Sequence, residues 1–140
     1  MQIGQSVTFA KTVSESDVYG FAGITGDFAP NHVDESFMAG TRYGGRIAHG
    51  VLVLGYTSTA STQMAASLGG HAVSLGYDRV RFTGAVRFGD TITVHYRLAH
   101  WDADRRRAHS DIEVRNHHGE VVLVATHVLA FVEPPGPIDG

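Results

Sequence analysis

The feature that most constrains the fold of this chain is a long apolar helix followed by a change in hydrophobic period. Residues 49–68, HGVLVLGYTSTASTQMAASL, are predicted to form the longest helix, and the start of that helix lacks a Ser, Thr, Asp or Asn cap. Its first two turns, VLVLGY, are apolar on every side, which predicts a helix wrapped by other structure. After Gly69 and Gly70 the period becomes two, which predicts strands at 71–82, 90–101, 108–116 and 121–132.

The rest of the chain completes an α+β arrangement. We predict a strand at 6–13 and a helix at 15–24 that begins with a capping box at Ser14 and Asp17 and ends at Gly26. A loop at 25–34 and a short helix capped by Asp34 follow. Short turns join the last three strands, which indicates an antiparallel meander. A sheet that curls round one buried helix is the hot-dog fold. We therefore expect one domain over 1–140, with an unpaired, flexible tail from about residue 133, and pairing of two protomers to cover the remaining apolar surface.

Composition excludes several classes of function. The 140 residues contain no cysteine, which removes disulfides and thiolate nucleophiles. The net charge is -3 and the eleven cations are dispersed, so no nucleic-acid footprint is present. No segment predicts a membrane span or a signal peptide, and we expect a cytoplasmic protein. Nine histidines are present without a metal-ligand spacing such as HExxH, so we expect no metal site.

The segment TGDFAPNHVD, residues 25–34, holds the strongest candidates for acid–base chemistry. Asp27 and His32 can share one water only if the loop curls, because Pro30 interrupts a helix between them. The alternative is that Asp27 satisfies loop amides and His32 is an ordinary loop histidine. Gly50, at the start of the long helix, offers an unpaired amide that suits a thioester oxygen gaining negative charge. Together these groups predict addition or elimination on a thioester.

Three stretches of the chain resemble one family closely. FAGITGDFAPNHVDESFMA, RIAHGVLVLGYTS and LGYDRVRFTGAVRFGDTITV are similar to the MaoC-like dehydratases, the family of (R)-specific enoyl-CoA hydratases with one hot-dog domain. The likeness spans roughly residues 7–132, and its first motif is the most specific. The resemblance implies reversible syn addition of water to trans-2-enoyl thioesters by a homodimer or higher oligomer. It implies an acyl-CoA or acyl-ACP substrate and no metal or redox cofactor.

The same resemblance assigns roles to individual residues. It implies that Asp27 and His32 are catalytic and that the Gly50 amide meets the thioester carbonyl. It also implies that Ser58 supports the catalytic loop; the alternative is a small residue that lets the helix pack. Ala29 stands where the family has Asn, and Asn31 stands where the family has an aliphatic residue before the histidine.

Other residues beside these motifs remain open. His49 either lines the site or packs the helix start, and Asn31 is counted with it as a supporting residue. Charge makes five arginines candidates for CoA phosphates, although solvated surface charge is the commoner role: Arg42, Arg46, Arg79, Arg81 and Arg87.

We therefore predict an (R)-specific enoyl-CoA hydratase, a hydro-lyase. One alternative is a MaoC-like lyase for branched or dicarboxylic acyl-CoA, or for acyl-ACP. A second is a hot-dog thioesterase, which the absence of Asp and Glu between Gly50 and Gly70 disfavours. A third is a non-catalytic acyl-thioester binder.

Overall fold

A computed structural model describes residues 1–133 and 135–137 and contains four helices and five strands. In chain order they are β1 (Ser6–Thr12), α1 (Glu15–Thr25), α2 (Pro30–Val33), α3 (Glu35–Ala39), α4 (Gly50–Leu68), β2 (His71–Phe82), β3 (Thr91–Asp102), β4 (Arg107–Asn116) and β5 (Val121–Glu133).

The strands form one antiparallel sheet in the order β1-β3-β4-β5-β2. The predicted meander is confirmed, since β3, β4 and β5 are sheet neighbours in sequence order. Helix α4 contacts β1, β2, β3 and β5, so the sheet wraps around it as predicted for the hot-dog α+β fold. The core between helix and sheet includes fully buried side chains from both layers: Met64, Ile92, Val94, Leu98, Val114 and Leu123.

Helix α4 buries one face and leaves another open. Val53, Thr57, Ala60 and Met64 follow the three- and four-residue spacing of one helix face, and all are buried. Val51, in the first turn, is 59% exposed. The prediction that the helix start is enclosed on every side is therefore wrong for the single chain, because the sheet covers only one side of it. No helix in the described part of the chain is long and apolar enough to cross a membrane.

Local capping signals place the segments that precede α4. The Ser14 hydroxyl accepts the Asp17 amide at 3.1 Å and the Asp17 carboxylate accepts the Ser14 amide at 3.2 Å, so the predicted capping box is present. Gly26 ends α1 in the left-handed region at φ 81°, and the Asp34 carboxylate caps α3 at 3.0 Å. The prediction of a continuous loop at 25–34 is wrong at one point, because Pro30 begins the helical turn α2. Proline suits that position, since its fixed φ is helical and its missing N–H would have no partner there.

The C-terminal segment pairs further than predicted. Glu133 still belongs to β5 and lies opposite His71 in β2. The Gly136 amide then donates to the Leu68 carbonyl at 3.0 Å, at the end of α4. The expectation of an unpaired tail from about residue 133 is therefore wrong for Glu133 and Gly136. The remainder of that predicted tail, residues 134 and 138–140, lies outside the described residues.

Candidate active site

The Asp27 carboxylate lies in the short link between α1 and α2. The turn at Gly26 ends α1, and Asp27 follows with one carboxylate oxygen, Oδ1, accepting the Ala29 amide at 3.2 Å. Ala29 is extended, with φ −56° and ψ 144°, as expected for a residue before proline. The Asp27 side chain is 55% exposed. One oxygen therefore holds the loop and the other, Oδ2, remains open.

The segment that precedes α4 fixes the orientation of the His32 ring. His32 is 8% exposed, and its Nδ1 lies 2.8 Å from the Ile47 carbonyl oxygen. The Ile47 amide donates in return to the Asn31 carbonyl at 2.9 Å, which clamps α2 to Ile47. A carbonyl oxygen only accepts, so Nδ1 carries the hydrogen. In the neutral ring, Nε2 then keeps its lone pair and is free to accept a proton.

A second histidine, His49, lies against both groups. Its Nε2 donates to the Asp27 backbone carbonyl at 2.9 Å and lies 4.0 Å from Asp27 Oδ2. Its ring stacks on the His32 ring with centroids 3.6 Å apart and planes 23° from parallel. The ring of Phe21 meets it edge-on at 4.8 Å. His49 is 3% exposed and therefore lies buried behind Asp27 and His32.

One ligand-type atom from each of Asp27, His32 and His49 lies within 4.8 Å of the other two. Asp and His are also metal ligands, so this set has the composition of a metal centre. The nearly parallel stacked rings of His32 and His49 hold their in-plane lone pairs in separate, nearly parallel planes, which suits a common metal ion poorly. A carboxylate and an imidazole beside one position suit proton transfer through water. The absence of a required metal stays a prediction.

Gly50 lines a cleft beside this cluster. Gly50 is the first residue of the 19-residue helix α4, and its N–H has no acceptor within residues 1–133 and 135–137. The cleft has a volume of about 460 Å³. Its walls come from α2, the segments 42–53 and 82–86, and β5 at Val122. They combine apolar and polar side chains, among them Asn31, His32, Arg42, Tyr43, Val51 and Phe82. A Cβ on Gly50 would lie 2.8 Å from the Phe82 ring, so only glycine fits here without displacement of that ring.

Comparison with known proteins assigns the family. The MaoC-like domain family matches residues 1–122. This chain is a member of the MaoC-like family. An (R)-specific enoyl-CoA hydratase of Rhodospirillum rubrum is 41% identical over 90 residues, 64% of this chain and 60% of that protein. A 3-hydroxybutyryl-CoA dehydratase of Methylorubrum extorquens is 37% identical over 108 residues, 77% of this chain and 67% of that protein. The structure of an (R)-hydratase from A. caviae superimposes with a TM-score of 0.85, 25% identity and coverage of 93% of this chain and 96% of that chain.

The structure of this MaoC-like chain brings some predicted residues together and not others. Asp27, His32 and His49 converge, and Gly50 and Asn31 line the adjoining cleft with His32. Ser58 is different. Its side chain is exposed and makes no hydrogen bond within the described part of the chain. The supporting role expected for Ser58 therefore stays a prediction.

The arginine candidates also divide. Arg42 lines the main cleft, and Arg87 lines a neighbouring cleft that shares Tyr43 with it. Arg79 lies on a bulge of the edge strand β2 at φ 54°, and Arg81 donates to the Val80 carbonyl; neither lines these two clefts. Arg46 binds Glu15 at 2.8 Å and Glu35 at 2.7 Å, which ties the start of α1 to α3.

Several groups in the site could not be found from the motifs. The Ile47 carbonyl that orients His32 is a backbone group, so the identity of residue 47 does not indicate this contact. The aromatic rings of Phe21 and Phe82 were absent from the predicted site, although Phe82 is an aromatic residue at a strand end. One feature of the sequence indicated these contacts, the lack of a capping residue at the start of α4. His49 is the N-cap residue there, and its side chain does not cap the helix.

Proposed function

We propose that this chain is an (R)-specific enoyl-CoA hydratase, a hydro-lyase that adds water reversibly to trans-2-enoyl thioesters. The observation that carries the proposal is the convergence of Asp27 and His32 beside a cleft that Gly50, with its N–H unpaired within the described part of the chain, also lines. Two MaoC-like relatives bear the names of a hydratase and a dehydratase, which supports the same reaction class. The aligned region spans only 60% of the Rhodospirillum rubrum relative, so the activity of that whole protein is carried over here only as a proposal.

The geometry supports a simple route for the reaction. Asp27 Oδ2 and His32 Nε2 hold one water, and His32 Nε2 accepts its proton as the water oxygen bonds to C3 of the substrate. The C2–C3 π electrons move toward the thioester carbonyl, whose oxygen the Gly50 N–H stabilises. A proton from the same acid–base pair then bonds to C2. Both additions occur on the face that meets Asp27 and His32, which accounts for syn stereochemistry.

The reaction needs no change in the oxidation state of a partner molecule. Water is added whole across the double bond, so we propose that no redox cofactor takes part. We also propose that no metal ion is needed, because the Gly50 N–H stabilises the carbonyl oxygen and Asp27 and His32 activate the water. The CoA or acyl carrier portion enters as part of the substrate. The cytoplasmic location expected from the sequence also stays a prediction.

A spectrophotometric assay tests this function. Purified protein is mixed with crotonyl-CoA, and loss of the enoyl-thioester absorbance is followed. We expect hydration by the wild type and a loss of about 10³-fold in kcat for Asp27→Asn and for His32→Ala. The matched controls are Asp111→Asn and His95→Ala, which replace the same residue types on exposed positions of the sheet. Normal rates in both site variants would contradict the mechanism.

A second candidate is a lyase for branched or dicarboxylic acyl thioesters. Asn31 and Arg42 both line the cleft, and Arg42 forms no ion pair within the described part of the chain. A carboxamide and a guanidinium can bind a carboxylate on the acyl group. A panel of crotonyl-, branched and carboxylated enoyl thioesters on CoA and on acyl carrier protein separates the candidates by kcat/KM. A higher kcat/KM for the unsubstituted acyl chain would support the (R)-specific enoyl-CoA hydratase over this second candidate.

We also propose that two chains associate through the edge strand β2. That strand bonds to β5 on one side only, and its exposed apolar residues include Val73 and Leu75. The open side of α4 at Val51 is a second apolar surface that a partner would cover. Light scattering should report a dimer for the wild type. Leu75→Lys should shift the measured mass toward that of a monomer. His95→Lys, at an exposed position on β3, should leave the mass unchanged.

A further inference from the structure

His49 occupies a helix-capping position without performing the capping function. It is the N-cap residue of α4, where Ser, Thr, Asp or Asn normally bonds an amide of the first turn. The His49 side chain makes no such bond and extends toward the loop that carries Asp27. The stability that a capping residue contributes is therefore absent at this helix start, and the ring serves another contact.

That contact fixes the backbone from which the Asp27 carboxylate extends. His49 Nε2 donates to the Asp27 carbonyl oxygen at 2.9 Å, so Nε2 carries the hydrogen of the ring. The separation of 4.0 Å between Nε2 and Asp27 Oδ2 is too long for a hydrogen bond. His49 therefore acts on the main chain of Asp27 and leaves Oδ2 available for water.

The other ring nitrogen of His49 has no partner. Nδ1 is buried and makes no hydrogen bond within residues 1–133 and 135–137. A second proton on this ring would place an N–H there without an acceptor. It would also add a positive charge 3.6 Å from the centre of the His32 ring, the group that gains a proton in the proposed reaction. The charges of two stacked cations repel each other, so this contact disfavours a positive charge on both rings at the same time.

We infer that His49 is a positioning residue that holds Asp27 through its carbonyl and supports the His32 ring with a stacked face. This inference rests on the proposed function. His49 does not line the cleft, so its contribution is expected in kcat and not in substrate binding.

Two single variants separate the two contacts. His49→Phe keeps a stacking ring and removes the donor, whereas His49→Gln keeps a donor near the position of Nε2 and removes the ring. Displacement of a reacting group by about 1 Å costs roughly 10²-fold in rate, so we expect a decrease of that order in kcat for His49→Phe. We expect KM to stay within about twofold of the wild type. His49→Gln should recover part of the lost kcat because it restores the bond to the Asp27 carbonyl.

Combination with Asp27→Asn supplies a readout that a purely structural role would not give. If His49 acts through Asp27, His49→Phe should lower the residual rate of Asp27→Asn by less than about threefold. An equal loss in both backgrounds would overturn the inference, as would wild-type kcat in His49→Phe. A loss that appears in KM alone would also overturn it.

A spectroscopic measurement keeps the inference independent of turnover. In protein labelled with ¹⁵N-histidine at pH 7.5, the resonances of His49 should show a hydrogen on Nε2, with assignment from the spectrum of His49→Gln. A ring without a hydrogen on Nε2 would overturn the inference even if the enzyme is active. Failure of the wild type to hydrate any enoyl thioester, with the expected spectrum intact, would contradict the proposed function and leave the placement of His49 standing.

Discussion

Two buried histidine sites in this molecule differ in how completely their ring nitrogens are bonded. His127, in the sheet core, is fully buried, with Nδ1 2.7 Å from the Tyr96 hydroxyl and Nε2 2.7 Å from the Ser74 hydroxyl. His32 and His49 have one bonded nitrogen each and one nitrogen without a partner in the described part of the chain. A ring with both nitrogens bonded is held as structure. A ring with an unused lone pair keeps the capacity to exchange a proton, and of these two buried sites the one at Asp27 has such rings.

The electrostatics of the core site follow from its burial. Burial lowers the pKa of His127 from 6.5 to about 4, because a charged ring would lose its hydration there. Burial also raises the pKa of Tyr96, its bonded neighbour, to about 12. Both groups are therefore neutral across the physiological pH range.

The largest expected effect that tests this contrast comes from removing the free lone pair of His32. The double variant Asp27→Asn/His32→Ala should lose about as much kcat as either single variant, about 10³-fold, because the two residues act on one water. Initial rates with crotonyl-CoA measure the loss. His127→Gln is the matched control, since it removes a buried histidine whose nitrogens are both bonded. A loss of similar size in correctly folded His127→Gln would contradict the distinction between a structural histidine in the core and a proton-exchanging histidine at Asp27.

The next effect is the pH dependence of stability contributed by His127. The unfolded chain binds a proton at this residue below about pH 6.5, whereas the folded chain does so only near pH 4. The unfolded state therefore holds more protons in that window, and the free energy of unfolding falls as the pH drops from 6.5 toward 4. The contribution is roughly 3 kcal/mol, present in full above pH 6.5.

Urea unfolding at several pH values between 7 and 4.5 measures this contribution. His127→Gln should give a flatter dependence than the wild type, whatever its stability at pH 7. His95→Ala, on an exposed position of the sheet, should keep the wild-type slope. Parallel curves for the wild type and His127→Gln would show that the core histidine does not titrate as described.

A smaller effect concerns the backbone group of the site. Gly50→Ala would place a methyl carbon 2.8 Å from the Phe82 ring and force that ring into the cleft. We expect kcat/KM to fall roughly tenfold, the equivalent of a modest overpacking cost. Gly50→Ala/Phe82→Ala should recover most of that loss. Gly55→Ala is the matched control, because a methyl group there meets no neighbour within 4 Å. Failure of the double variant to recover would indicate that Gly50 contributes in a way other than close packing.

The smallest effect tests whether the segment before the site depends on its caps. Ser14→Ala removes the hydroxyl that accepts the Asp17 amide and should lower the free energy of unfolding by about 1 kcal/mol. Thermal unfolding monitors the change. Ser58→Ala, at an exposed position of α4, removes a hydroxyl that makes no hydrogen bond within the described part of the chain, and should cost less. An equal cost for the two variants would contradict the assigned capping box.

The features predicted correctly from the sequence depend on neighbours within about one helical turn or one strand. The Ser14 capping box, the Gly26 helix end and the Asp34 cap are local, and the strand at 71–82 has the predicted bounds. The errors arise where longer-range packing or a special residue decides. Pro30 was treated as a residue that prevents a helix, although proline also begins one. Val51 was expected to be enclosed, but the sheet covers only the opposite side of α4.

The sequence by itself determined the chemical types in the site, an acid, a base and a backbone amide, and the order of helix and strands that brings them near one helix start. Those properties follow from residue identity and hydrophobic period. Only the tertiary structure decided which nitrogen of His32 is free, because the Ile47 carbonyl comes from a separate segment. It likewise decided that His49 stacks on His32 and bonds to Asp27. Such contacts depend on the direction of backbone groups from distant segments, and the residue types alone do not specify that direction.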